Sequence, residues 1–540
     1  MAPSSLSSSA TVLAAAAATL VSVTLISLYD RRRRKVTISD SSTLSYPPTP
    51  PTRHWLFGHA HAVDLTKTTN HDILFLKWMQ DLKSKVVMFE LPIVGRFIVV
   101  GDAAVARYVL SGSFRKSPTY RALLPLIGKK SLVTMEGEEW SAQRKIYNPG
   151  FSPDFLRGIV STIVDKCNRL VAKCDEDIEN GAPTNMLAKA IDLTIDVIVA
   201  VAFGEDWFET EDDMQKVHTI RELTALTGER MKEPLKQYFS FGHMWRTWRL
   251  SKALDRDMKC LVQRRLEKLC NLDTASVASE MPKQKDILSL TLLRVLQSNK
   301  AALDGKTFGP NDMEIITSQL KTFYFAGHDT TATTIAWAYW LLVQHPESLR
   351  RARDEVESSI GPHLRDATYE KLQKCEYLDA VARETLRLYP PAATTRHVSM
   401  SSDGPAASSA KRAVSSDFSS SSNEPNAGGY RLGDSIVHLN FYAIQRDPDV
   451  WEMPDEFVPD RFLGEAGKKR IASSSFLPFS KGARDCIGKY FALLEIKIAL
   501  AALVCRYDGD VVNTEEAYVA KLTSIPQGGC KVNLRRRSVA

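Results

Sequence analysis

The sequence predicts a mainly α-helical protein with a minor β-sheet region. Three observations carry that prediction. Apolar residues recur at helical spacing through 140–174, 186–204, 311–345, 347–358, 376–388 and 488–505. Strand candidates are short and few: one near 85–100, one in YRLGDSIVHLN at 430–440, and one near the C-terminus. No internal repeat is visible along the chain.

The 540 residues are 44% hydrophobic, ample for a large core. The formal net charge is +7 and the pI is near 8.8. Part of that excess is the run Arg31 to Lys35, a local cluster that fits a membrane flank and not a nucleic-acid surface. The eight cysteines are scattered, with no C-x-x-C pair. That excludes a structural zinc site and a secreted disulfide scaffold, and it fits a reducing compartment.

Residues 10–28 form an uncharged apolar run, close to the ~20 residues that span a bilayer. Basic residues follow the run and none precedes it, which puts residues 1–9 in the lumen and the rest in the cytosol. A cleaved signal would carry its charge ahead of the run. Residues 29–52 hold the basic cluster and YPPTPPT, whose prolines favour a stiff spacer between anchor and body. Residues 53–540 read as one globular unit. Within it, 399–429 is rich in Ser, Ala and Gly and lacks the apolar content to offset ordering, so a mobile surface loop is expected there.

The chemistry concentrates at FSKGARDCIGKYFALLE, from Phe479 to Glu495. Cys486 precedes an apolar helix, where free N–H groups and the helix dipole favour a thiolate. Such a thiolate suits a soft or borderline metal. Gly482 permits a tight turn, and Gly488 lets something bulky approach the backbone. Arg484 offers a forked donor face for a carboxylate. The alternative is a buried structural cysteine in a glycine-bearing loop. A flat, metal-centred cofactor with carboxylates at its rim satisfies every feature at once, and haem with a cysteine ligand is such a group. The pattern F-x-x-G-x-R-x-C-x-G arises by chance in a chain of this length roughly once in ten thousand.

In that motif the chain resembles the cytochrome P-450 superfamily of haem-thiolate monooxygenases, in its microsomal and fungal form. The resemblance runs from about residue 45 onward. It implies the cytochrome P-450 fold, haem b with Cys486 as axial ligand, and Phe479 shielding the sulfur. AGHDTTATT, inside the long helix at 313–345, matches the superfamily's A/G-G-x-D/E-T-T pattern. Asp329 and Thr330 are then the acid–alcohol pair that delivers protons to dioxygen. Thr330 is expected to bond back to the carbonyl of Ala326 and Thr331 to that of Gly327, distorting the helix and opening a groove. His328 is expected to pack or hydrogen-bond, with iron ligation as its alternative.

Further matches extend the site. ETLRLYPP sets Glu384 and Arg387 on one helical face, and PDRF supplies Arg461 for a buried charge network. Gln445 stands where the superfamily often has histidine. Trp140 and Arg144 are one turn apart and by resemblance bind a haem propionate with Arg484. Either Arg396 or His397 supplies a further basic ligand; spacing does not choose. The substrate is expected to touch 119–130, 323–331, 391–395 and 522–524. These stretches are apolar and Thr-rich, and they point to a lipophilic small molecule of polyketide or terpenoid type in secondary metabolism. No flavin region or G-x-G-x-x-G fingerprint is present, so electrons are expected from NADPH–cytochrome reductase, with a small cytochrome b as a second donor. Lys145, Lys481 and Lys489 are candidates for the docking face. The expected location is the endoplasmic reticulum membrane, single-pass. A haem-thiolate isomerase or lyase, and a non-catalytic haem sensor, are the competing readings; the acid–alcohol pair argues against both.

Overall fold

The computed structural model describes residues 45–537, apart from 55–57, 61, 64–69, 93, 113, 205–212, 233–239, 270–285, 299–307, 362 and 400–425. In chain order the principal helices are α1 (His71–Asp81), α2 (Ala103–Ser111), α3 (Gly137–Tyr147), α4 (Pro153–Glu179), α5 (Met186–Ile198), α6 (Asp213–Lys232), α7 (Phe241–Leu269) and α8 (Ile287–Ser298). They continue with α9 (Pro310–Gln344), α10 (Pro346–Ser359), α11 (Glu376–Leu388), α12 (Gly464–Ala472) and α13 (Lys489–Arg506).

The predicted long helix is α9. Pro310 opens it, where a missing N–H needs no partner, and Pro346 starts the next helix two residues beyond its end. Almost every residue from Ile315 to Val343 is buried, because α9 runs through the middle of the molecule between α5, α7, α11 and α13. Its closest neighbour is α5, and glycine makes that approach possible. A Cβ on Gly327 would sit 2.7 Å from Cδ1 of Ile198. The Thr194 hydroxyl donates to the carbonyl of His328 (2.9 Å), tying the pair at the same level.

α9 is α-helical over its whole length, and its polar patch lines the cavity described below. Thr330 does bond back to Ala326 (2.9 Å). The second back-bond is Thr334 to Thr330 (2.9 Å), not Thr331 to Gly327. Regular α-geometry accommodates such bonds when neighbours on both sides fix the backbone.

The sheet region is small, as expected. Its largest sheet has the order β1-β2-β8-β5-β3, from β1 (Val86–Leu91), β2 (Gly95–Val100), β3 (Arg115–Lys116), β5 (Thr394–Val398) and β8 (Ser435–Leu439). All neighbours are antiparallel except β2 and β8. A second sheet joins β4 (Thr184–Asn185), β12 (Lys531–Arg536) and β9 (Tyr507–Val511). Two hairpins complete the set: β6 (Asn426–Ala427) with β7 (Tyr430–Arg431), and β10 (Tyr518–Ala520) with β11 (Ser524–Pro526).

Two stretches differ from their sequence reading. The end of the Ser-rich stretch is ordered: Asn426 and Ala427 pair with Tyr430 and Arg431, and buried Ala427 joins the apolar cluster of α2 and the large sheet. Backbone pairing and one buried methyl group suffice to fix it. Residues 45–52 of the proline stretch lie on the body. Pro48 accepts a hydrogen bond from the Met88 N–H (2.9 Å), and Ser45 bridges Tyr430. The apolar run 10–28, residues 1–9, and the basic cluster lie outside the described residues. Among the described residues no helix is long and apolar enough to cross a membrane.

Candidate active site

The loop before α13 is shaped by two left-handed residues, Ser480 (φ +57°) and Gly482 (φ +81°). A Cβ on Gly482 would lie 2.7 Å from the carbonyl oxygen of Leu110, so only glycine fits there. The Cys486 N–H donates to the carbonyl of Phe479 (2.9 Å) and closes the turn. Gly488 caps α13, so Cys486 stands just ahead of the helix and not within it. Its Sγ is 4.0 Å from where a Cβ on Gly488 would begin. The sulfur opens onto a cavity, but the cavity itself is deep. Burial therefore pushes the thiol pKa up, against the Gly488 N–H and the charge of Arg144. A bound metal cation would favour the thiolate form.

That cavity is about 270 Å³. Phe479, Cys486, Gly488 and Phe491 line one side, and Phe323, Ala326, Gly327 and Thr330 of α9 line the other, with Pro391 and Thr394 at the edge. Cys486 and Thr330 therefore line one slot. His328 lies outside it: its Nδ1 pairs with the carbonyl of Tyr324 (2.7 Å) and its ring packs against the Tyr324 ring. Asp329 also lies outside the lining; its carboxylate accepts a hydrogen bond from the Thr523 hydroxyl.

One end of the slot is cationic. The Arg484 guanidinium lines it and lies 3.9 Å over the ring of Trp140. Strand pairing decides between the two basic candidates. In β5 the buried residues alternate as Thr394, Arg396 and Val398, so Arg396 points inward and His397 away. His397 lines a separate polar pocket with Lys116, Lys129 and Glu136. Register sets Lys116 of β3 directly opposite Arg396. Like charges facing across a ladder repel, so an anionic group is needed nearby. Burial lowers the Arg484 pKa to about 10, and repulsion from Arg396 adds to it. Arg396 and Lys116 are lowered too, burial being the main cause in each. A flat metal cofactor with an acidic rim fits a slot lined by the Cys486 thiol, Thr330 and the Arg484 guanidinium.

Arg144 departs from expectation. Its guanidinium bonds the Asp485 carbonyl (2.9 Å), the Asp485 carboxylate (3.0 Å) and Asn148 (2.9 Å), so it braces the cysteine loop and does not reach the slot. The substrate expectations divide as well. Residues from 323–331 and 391–395 line the cavity, while those of 119–130 and 522–524 do not. Two candidate docking lysines are engaged: Lys481 bonds the last carbonyls of α12, and Lys489 pairs with Asp485 (2.9 Å). Lys145 remains exposed.

Behind the loop, Glu384 and Arg387 are fully buried and share two hydrogen bonds of 2.8 Å. Arg461 joins Glu384 at 3.3 Å. Gln445 is a working member of the set: its Nε2 donates to the Leu386 and Arg387 carbonyls and its Oε1 accepts from the Leu477 N–H. Lys116, Tyr120 and Thr523 were not singled out from sequence. No local pattern marks them, because strand register and the C-terminal hairpin bring them to the site.

A family model described as Cytochrome P450 matches residues 47–403 and 432–524. Most of the Ser-rich stretch falls between the two matched parts. The chain is 28% identical over 474 residues to Cytochrome P450 4A7 of Oryctolagus cuniculus, covering 85% of this chain and 84% of that one. It is 27% identical over 525 residues to Cytochrome P450 monooxygenase polC of Polytolypa hystricis, covering 90% and 84%. Among solved structures, the heme domain of cytochrome P450DA aligns with a TM-score of 0.70 at 21% identity, covering 92% of this chain and 98% of that one. A mutant of the same domain gives 0.71 at 20%.

Proposed function

The chain belongs to the cytochrome P450 family, and from that premise we propose that it oxidises a lipophilic small molecule in secondary metabolism, with Cys486 as the axial ligand. The family is one of haem-dependent monooxygenases that carry haem b on a cysteine thiolate. The single observation that carries the site assignment is the slot itself, which brings Cys486, Thr330 and the Arg484 guanidinium into one lining.

When bound, the haem supplies activation of dioxygen. The chain's own residues do the rest. Cys486 would hold the metal, with Phe479 and Gly488 beside it in the lining. Arg484, braced on Trp140, and Arg396 hold the acidic rim. Thr330 presents its hydroxyl to the slot and passes protons supplied through Asp329. Phe151, Ile198, Phe323 and Leu386 keep bulk water away and favour an apolar substrate. Lining of this kind offers no anchor for a charged substrate apart from Arg484. A fungal monooxygenase among the relatives supports the secondary-metabolite reading.

Members of this family generally take electrons from a redox partner. Here that partner is NADPH–cytochrome reductase, assisted by a small cytochrome b, docking on the side of the cysteine loop where Lys145 is exposed. The location is the endoplasmic reticulum membrane, through residues 10–28. The test is spectroscopic. The reduced protein under carbon monoxide should show the red-shifted thiolate band, and Cys486→Ala should lose it. Retention of that band by Cys486→Ala would overturn the ligand assignment. Reductase-dependent NADPH consumption should accompany it; product formation without reductase would favour an isomerase.

A further inference from the structure

The acid of the acid–alcohol pair is tethered away from the slot. Thr523 is buried in the turn between β10 and β11, and its hydroxyl donates to the Asp329 carboxylate. That turn is held from three directions. The Lys521 N–H donates to the Thr523 carbonyl (2.8 Å) and closes it. The Ser524 N–H donates to the carbonyl of Pro391 (2.9 Å), and the Tyr518 hydroxyl to that of Pro390. On the far side, the Leu522 N lies 3.4 Å from where a Cβ on Gly228 of α6 would begin. Pro391 itself lines the slot. The hydroxyl that reaches Asp329 is therefore carried on a hairpin fixed to the slot wall and wedged against α6. A threonine hydroxyl has a single proton to donate, so this bond commits it.

We propose that Thr523 is a positioning residue that restrains Asp329, keeping its carboxylate turned from the slot until the β10–β11 turn moves. Unproductive proton delivery is then suppressed while the slot wall is undisturbed. This rests on the assignment of Asp329 and Thr330 as the proton path. Its consequence appears without any organic substrate. In that futile reaction NADPH gives two electrons through the reductase, dioxygen takes them with two protons, and hydrogen peroxide leaves while NADP⁺ forms. Releasing Asp329 should speed it.

The experiment uses the haem-loaded full chain with added reductase and NADPH in air. Thr523→Val should raise substrate-free NADPH consumption and peroxide release at least about tenfold, the size one hydrogen bond to a charged group supports. The solvent deuterium isotope effect on that rate should fall, and the reduced carbon monoxide band should stay as in wild type. Thr523→Ser should restore the wild-type rate. In the Asp329→Asn background, Thr523→Val should have no further effect. If Thr523→Val disturbs the carbon monoxide band, Thr523→Ala gives the same comparison. A wild-type rate in Thr523→Val, or an effect that persists in the Asp329→Asn background, overturns the restraint. If Asp329→Asn alone changes neither rate nor isotope effect, the proton path itself is wrong, and the failure lies with the functional reading.

Discussion

Tyr120 illustrates how single residues here take their chemistry from charges that sequence spacing hides. Burial opposes its ionisation, but Lys116 and Arg396 outweigh that, helped by hydrogen bonds from Thr394 and Thr395, and bring its pKa down to about 7. A depressed acid stabilises the fold above its unfolded pKa, about 10, and loses that contribution as pH falls through its folded one. Cofactor-free protein should therefore show a tyrosinate absorbance with a midpoint near pH 7, absent in Tyr120→Phe. Haem loading adds carboxylates and should move the midpoint upward; an unmoved midpoint would argue against propionates at this edge. Glu495 gives the opposite case. It is fully buried with neither oxygen hydrogen-bonded, and burial raises its pKa well above the ordinary value. Such an acid costs stability as pH rises past its unfolded pKa. Glu495→Gln should raise the thermal midpoint at neutral pH, and the gain should vanish toward about pH 4. At this scale Cys486, Arg484, Gly482 and Gly488 were legible, because their roles follow from neighbours a few residues away. Arg396 was not separable from His397, since only the pairing of β5 with β3 and β8 decides which one points inward.

At the scale of elements, the buried network of α11 shows what fixes the cysteine loop. Arg387 satisfies Glu384 and also the carbonyls of Gln445 (3.0 Å) and Glu456 (2.9 Å), so it joins a helix to two stretches that precede the loop. Removing one partner of a fully buried pair costs about 3–5 kcal/mol, because the other charge is left without compensation. Arg387→Ala should lower the unfolding free energy from urea titration by that amount and release haem, whereas Arg351→Ala, whose partner Asp460 is exposed, should cost less than about 1 kcal/mol. Arg387→Lys should also fail, since a single ammonium cannot serve a bidentate carboxylate and two carbonyls together. The helices themselves were readable from periodicity, α9 among them. Arg144 was misread. Its spacing from Trp140 was clear, but its commitment to Asp485 depends on how the loop folds back over α3.

For the whole molecule, the fold class came from local periodicity, while assembly of the site came from contacts no window spans. Thr523 reaches Asp329 across 194 positions, and Gln445 reaches the loop from a position that sequence comparison marks only as a departure. The Ser-rich segment tests how independent the two scales are. It sits between the matched parts of the family model, and described structure resumes at Asn426 in a hairpin that packs on α2. Among the described residues of that segment, none lines the slot. Loop-closure entropy changes by only about 0.6 kcal/mol for each doubling of length. Replacing residues 402–423 with a short Gly-Ser linker should therefore shift the unfolding free energy from urea titration by about 1 kcal/mol or less, leave the reduced carbon monoxide band unchanged, and preserve reductase-dependent NADPH consumption. A larger loss of stability would mean that the segment packs on the body. Loss of NADPH consumption with the band intact would instead make it part of the surface the reductase meets, and that outcome would move the docking face away from Lys145.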